Sequence, residues 1–268
     1  MSLEHLMQKI WNDYSMLNPI VPKVHQLLKN KGEQIQNDHI AYRTVRHPGF
    51  GIESIAQHFI KYGYTYVNEY HFEEKKLYAH HFSHQNKEYP KIFISEIILD
   101  DFSEKLKSIV KAKINQTPAK YFVDEISIYS GAPWGKIGRA DYLDIIDESE
   151  YAAWLLVFGF RANHFTVNAN LLKSFKDLTE LNSYLKSNGI SLNASGGEIK
   201  GNKNEYLEQS STLANKIRIG FLEGQFEIPG CYYEFAKRYT MPNGELFQGF
   251  VATSANKIFE STDVKINK

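Results

Sequence analysis

A short motif occurs twice in this chain. Asp38-His39-Ile40-Ala41 opens one segment, and Asn163-His164-Phe165-Thr166 opens another 125 residues later. Each polar-His pair begins a strand-like run, and an amphipathic helix follows that ends at a glycine. The glycines are Gly63 and Gly189, at 24 and 25 residues from their histidines. Such a repeat means one supersecondary unit built two times, and it limits the fold more than any compositional feature does. Equivalent histidines of two paired units can converge on one ion at the pseudo-two-fold axis.

The hydrophobic spacing extends the repeat. Residues 3–30 read as helical and break around Asn18-Pro19. The first unit then runs as a strand over 38–45, a helix over 52–62, a hairpin of 64–72 and 77–82 around Glu73-Glu74-Lys75-Lys76, and a strand over 91–99. Helices are predicted at 102–114 and 149–157 in the connecting region, with a looser stretch at Gly131-Ala132-Pro133-Trp134-Gly135. The second unit has a strand over 160–168 and a helix over 175–187. Strands follow near 190–199, 207–213 and 231–239, with an excursion at 220–230.

Both units read βαβββ. The expected class is α+β, two such modules forming a half-open barrel with extra helices, an arrangement that resembles the vicinal-oxygen-chelate superfamily. Residues 1–268 are expected to form one domain: a helical segment (1–36), the first module (37–99), a helical connector (100–158), and the second module with a C-terminal tail (159–268).

Composition excludes several functions. Lys+Arg and Asp+Glu are both 31, so no basic stripe exists to neutralise phosphates, and nucleic acid is excluded as the main partner. Cys231 is the single cysteine and cannot form an intramolecular disulfide, which points to a reducing cytoplasm. Residues 1–11 have charges where a signal peptide needs an apolar core. No run approaches membrane-spanning length.

Strand side chains alternate faces, so His39, Ala41 and Arg43 share one face, as do His164, Thr166 and Asn168. A third ligand is expected from the last strand of a module. There Glu234 is the only carboxylate within Tyr232-Tyr233-Glu234-Phe235-Ala236. A carboxylate in an aromatic strand is costly unless it is paired or bound to a cation. Arg238, four residues on, is the competing partner. Two histidines and one carboxylate with open positions form the facial triad of non-haem Fe(II) oxygenases. Arg43 lies about 13 Å along the strand from His39. It suits bidentate carboxylate recognition, and an ordinary salt bridge is the equal alternative.

His71, His80, His81 and His84 read as proximity on a solvated hairpin. His5, His25, His47 and His58 read as surface residues, and Cys231 as a packed small residue.

Asp38-His39-Ile40-Ala41-Tyr42-Arg43-Thr44, Asn163-His164-Phe165-Thr166 and Tyr232-Tyr233-Glu234-Phe235-Ala236-Lys237-Arg238 resemble, in order, the motifs of the 2-oxoadipate dioxygenase/decarboxylase family, also called 2-hydroxyglutarate synthases. The resemblance covers most of the chain, which reads as a compact member. It implies a vicinal-oxygen-chelate fold distantly like that of 4-hydroxyphenylpyruvate dioxygenase. Fe(II) would be bound by His39, His164 and Glu234, and Arg43 would hold a substrate carboxylate. It also implies conversion of 2-oxoadipate and O2 to 2-hydroxyglutarate and CO2, in lysine catabolism. Thr253, in Phe250-Val251-Ala252-Thr253, would help complete the pocket. The alternatives are a non-oxidative lyase or isomerase of the glyoxalase type and a catalytically silent small-molecule binding protein.

Overall fold

The computed structural model describes residues 1–118 and 120–251. Two helices open the chain, α1 (Leu3–Leu17) and α2 (Ile20–Asn30), on either side of the expected Asn18-Pro19 break. The first module follows as β1 (Asn37–Val45), α3 (Ile52–Ile60), β2 (Tyr64–Phe72), β3 (Leu77–His84) and β4 (Lys91–Ile97). The connector holds α4 (Glu104–Ile114), α5 (Arg139–Ile146) and α6 (Glu150–Phe158). The second module is β5 (Ala162–Asn168), α7 (Leu178–Ser187), β6 (Lys200–Asn202), β7 (Leu207–Ser211), an inserted hairpin of β8 (Lys216–Phe221) and β9 (Gly224–Pro229), and β10 (Tyr232–Arg238).

Helix starts follow local chemistry. Ser103, Ser149 and Asp177 cap α4, α6 and α7, each accepting a backbone N–H two or three residues into the helix. In both modules the glycine after the helix sits at positive φ, +96° for Gly63 and +74° for Gly189. A side chain there would be strained, which is why the repeat retains the glycine.

Eight of the strands form one sheet in the order β2-β3-β4-β1-β5-β10-β7-β6. β1 and β5, the first strands of the two modules, pair antiparallel at its centre. Each is flanked by a parallel partner, β4 on one side and β10 on the other. The arrangement is therefore pseudo-two-fold about the β1–β5 seam. His39 lies beside Lys91 and Ala41 beside Phe93. In the second module His164 lies beside Tyr232 and Thr166 beside Glu234. Phe93 and Glu234 thus occupy equivalent positions.

The alternating faces have separate tasks. Tyr42 packs on Phe59 of α3, and Phe165 packs on Trp11 and Tyr14 of α1, so helices cover the outer face. His39, Arg43, His164 and Glu234 belong to the opposite, inner face. Burying the apolar outer face provides the main driving force for this layering.

Two expectations need correction. Residues 190–199 do not form a strand. Asn193 to Gly197 turn back on themselves, with Gly196 and Gly197 at positive φ, and a single bridge, Leu192 with Thr212, remains. The excursion after 213 is wider than expected and is the β8–β9 hairpin. Helix α5 has no counterpart in the sequence reading. It is short and buries only Tyr142 and Ile145, too few positions for a helical period. Among the described residues no helix is long and apolar enough to cross a membrane.

Candidate metal centre

The two polar-His pairs sit at two bulges of the same seam. The β1–β5 register shifts between Asn37 and His39, and again between Ala41 and Tyr42, where Asn163 is the extra residue on β5. A bulge re-aims side chains that strict alternation would send to opposite faces. Here it brings each histidine within reach of the polar residue before it. Asp38 Oδ1 lies 2.9 Å from His39 Nδ1, and Asn163 Oδ1 lies 3.0 Å from His164 Nδ1. Each oxygen accepts the Nδ1 proton, which leaves Nε2 as the lone-pair nitrogen able to bind a cation; on His39 that nitrogen now accepts from Thr166 Oγ1 at 3.0 Å. The motif is polar-His because the first residue orients the second.

The Nε2 atoms converge with Glu234. His39 Nε2 is 3.6 Å from Glu234 Oε1, and His164 Nε2 is 3.4 Å from Glu234 Oε2. One ligand atom from each residue falls within 4.8 Å of the other two, and no other such group of three occurs among the described residues. All three are deeply buried, at 2 %, 4 % and 0 % exposure. Burial lowers the pKa of both imidazoles, favouring their neutral form, and lifts the Glu234 carboxyl to about 8. Gln209 Nε2 donates to Glu234 Oε1, whereas Oε2 has no hydrogen-bond partner. Two neutral imidazoles and a buried carboxylate with an orphaned oxygen fit a divalent cation. A cation bound there would offset the cost of burying that charge.

Behind His39, Asp38 is clamped by Arg238, with Nε at 2.7 Å from Oδ2 and Nη2 at 2.8 Å from Oδ1. Burial alone would push the Asp38 carboxyl up, but Arg238 and Lys91 outweigh it and hold it well below its usual range. Arg238 is therefore the partner of Asp38 and not of Glu234. Its Nη1 also donates to the carbonyls of Gly249 and Phe247, at 2.7 and 3.3 Å. This pins residues 247–250 over the site. Phe250 stands edge-on to His39, with ring centroids 4.8 Å apart, and its N–H donates to Tyr70 Oη.

Arg43 is buried on the same inner face. Its Nη1 donates to Glu150 Oε1 at 2.8 Å, so the salt bridge expected as the bland alternative is present. Its Nε and Nη2 have no hydrogen-bond partner. The Tyr232 hydroxyl, on a ring stacked over His164 at 4.6 Å, is likewise buried and unpartnered. Thr253 lies outside the described residues.

The histidine reading was right at some positions and wrong at others. His81 is not on a solvated face. It is buried, its Nδ1 faces Tyr70 Oη at 2.8 Å, and its ring packs on Phe250. His58 is also buried, against Ser127 Oγ, and His25 is half-buried on Tyr233 Oη. His5 and His47 are exposed as expected. Cys231 is buried and free. Gln209 and Glu150 have no signal in the sequence because each reaches the site through the tertiary fold and belongs to no local motif.

Paired βαβββ modules with two imidazoles and a carboxylate on their seam define a mixed α+β protein with a candidate metal centre. The family model for 2-oxoadipate dioxygenase/decarboxylase matches residues 4–246, and the chain belongs to that family. It is 34% identical to the chloroplastic 2-oxoadipate dioxygenase/decarboxylase of Arabidopsis thaliana, over 93% of this chain and 74% of the relative. A solved structure of the rice (Oryza sativa) hydroxyglutarate synthase in complex with 2-oxoadipate superposes with a TM-score of 0.89 at 32% identity, covering 96% of this chain and 91% of that one. A protein of Shewanella frigidimarina described as a hydrolase superposes at 0.88 with 44% identity, over 93% and 97% of the two chains. A glyoxalase-superfamily protein of Ralstonia eutropha shares the fold at 18% identity, with a TM-score of 0.74 over 91% and 84%.

Proposed function

We propose that this enzyme binds one Fe(II) through His39 Nε2, His164 Nε2 and Glu234, and converts 2-oxoadipate and O2 to 2-hydroxyglutarate and CO2. The observation that carries this reading is the convergence of the three buried ligand atoms, one an orphaned carboxylate oxygen, in a chain of this family. The equation balances with no added reductant, because both oxygen atoms of O2 end in the products. When bound, the iron supplies the redox chemistry and positions for substrate and O2.

The chain's own residues do the rest. Asp38 and Asn163 hold the ligand imidazoles in the metal-binding tautomer. Gln209 fixes one Glu234 oxygen. Arg43 pairs with a carboxylate of the substrate through Nε and Nη2, which favours a short diacid over an aromatic 2-oxo acid. Phe250 and the backbone of 247–250 help exclude water from the inner face. The continuous eight-stranded sheet supports a single domain, and the buried lone thiol of Cys231 supports a cytoplasmic location.

The test is anaerobic loading with Fe(II), then an O2-uptake assay with product analysis over a panel of 2-oxo acids. The reading requires equal molar O2 consumption, CO2 release and 2-hydroxyglutarate formation. Turnover without O2 uptake would return the non-oxidative lyase reading.

A further inference from the structure

Helix α6 belongs to the connector, outside both repeats, yet its first turn meets the inner face. Glu150 is its first residue, and Tyr151 and Trp154 follow on the side turned to Arg43. The guanidinium carbon of Arg43 lies 4.9 Å from the Tyr151 ring centroid and 5.2 Å from that of Trp154. Tyr151 is itself fixed, because its hydroxyl donates to the Ser95 carbonyl at 2.6 Å and accepts from the Thr44 N–H at 3.0 Å. The plane of the guanidinium is thereby set by two rings, and its rotation within that plane by the Nη1–Glu150 bond.

An arginine has five N–H donors, and a carboxylate is read by two parallel ones along one edge. Glu150 takes Nη1. The Nε–Nη2 edge is left buried and unpartnered, an arrangement costly enough to need an occupant. The Tyr232 hydroxyl, buried and likewise unpartnered, lies within electrostatic reach of Glu234, Arg43 and Glu150. If Glu150 served stability alone, it would be expected to engage the bidentate edge itself. It binds end-on and leaves that edge open.

We infer that Glu150 is a positioning residue for substrate selection: it turns Arg43 so that the Nε–Nη2 edge is presented to a substrate carboxylate, and it acts by reach and not by charge. This rests on the functional reading above, in which Arg43 meets the substrate. The distinction matters because charge alone predicts the opposite effect. A carboxylate beside Arg43 weakens attraction for an anion, so a pure charge role means that removing Glu150 tightens diacid binding.

The experiment compares wild type with Glu150→Gln, Glu150→Asp and Glu150→Ala. Gln keeps the acceptor at the same reach and loses the charge, whereas Asp keeps the charge and loses the reach. Metal content and thermal melts establish that each variant is folded and loaded. Binding of 2-oxoadipate is read by calorimetry on Ni(II)-loaded protein without O2, and KM and kcat on the Fe(II) enzyme. Positioning requires Kd and KM to rise about tenfold in Asp and Ala, to stay within about threefold of wild type in Gln, and kcat to change less than KM. Tighter binding in Gln and Ala, or an unchanged Kd in Asp, overturns the inference. Wild type that neither binds nor turns over 2-oxoadipate overturns the functional reading and this inference with it. A normal wild type with indifferent variants overturns the inference alone.

Discussion

Gln209 Nε2 meets Glu234 Oε1 at 2.5 Å across the β7–β10 pair, and so holds the carboxylate by one oxygen only. The other oxygen faces His164 Nε2 at 3.4 Å, while Oε1 also lies 3.6 Å from His39 Nε2. Such a partner restricts a ligand's rotation and tunes its basicity. Gln209→Leu is expected to keep the fold and weaken metal binding about 10–100-fold. Competition against a chelator of known affinity measures this, and an unchanged affinity would show that Glu234 is held by packing alone.

His164→Ala is expected to lose stoichiometric metal, read by elemental analysis, while the secondary structure stays as in wild type. Because a metal that binds only the folded chain raises its stability by mass action, a chelator should lower the melting temperature of wild type. The same chelator should leave His164→Ala unmoved. A variant that still carries one ion per chain would remove His164 from the centre.

Asp38 and Arg238 form a buried bidentate pair, both almost wholly out of solvent. Removing one partner leaves a buried charge without compensation, which costs about 3–5 kcal/mol. Asp38→Ala is expected to lose that much in urea denaturation and to bind metal more weakly, since His39 loses its orienting acceptor. Adding Arg238→Met should restore part of the stability and none of the metal affinity. Recovery of both would mean that Asp38 acts on the metal only through the fold.

Acid should expose His58. Burial, with the Lys61 charge adding to it, lowers its pKa from 6.5 to about 4, while Glu125 and Asp124 oppose the shift. Between those values the unfolded chain binds more protons than the folded one. The contribution of His58 to stability is thus complete above about pH 6.5 and falls as pH drops toward 4, by roughly 2–3 kcal/mol. Urea midpoints for wild type and His58→Gln at pH 7 and 4.5 test this. An equally steep fall in the variant would assign the loss to other groups.

The sequence carried the two histidines because they lie in a repeated local motif whose polar first residue sits at a bulge of the seam, and Glu234 because it is the one carboxylate of Tyr232 to Ala236. Caps and breaks were equally local: Ser149 and Asn18-Pro19 marked helix limits that the structure keeps to within a residue or two. What was illegible depended on distant pairing. Glu150 stands 107 positions from Arg43, and no periodicity connects them. For His80 and His81, alternation separated the two faces but could not say which one is inner; that is decided by the pairing of His81 with Phe93 on β4. At 190–199 the apolar Ile190, Leu192 and Ile199 suggested a strand, and the turn at Asn193 to Gly197 overrode it.

The pseudo-symmetry of the seam is broken at one pair of equivalent positions, Phe93 and Glu234. Full symmetry would place a carboxylate on both flanks of the two histidines. Four protein donors are the pattern of sealed, structural metal sites, whereas three leave room for reactants. Phe93 withholds the fourth donor, and its ring packs against Phe250 at 4.8 Å to make an oily wall where the mirror-image ligand would have stood. The duplicated scaffold yields a three-donor group because the two copies are unequal there. Restoring the symmetry with Phe93→Glu should give a tighter metal trap that no longer turns over.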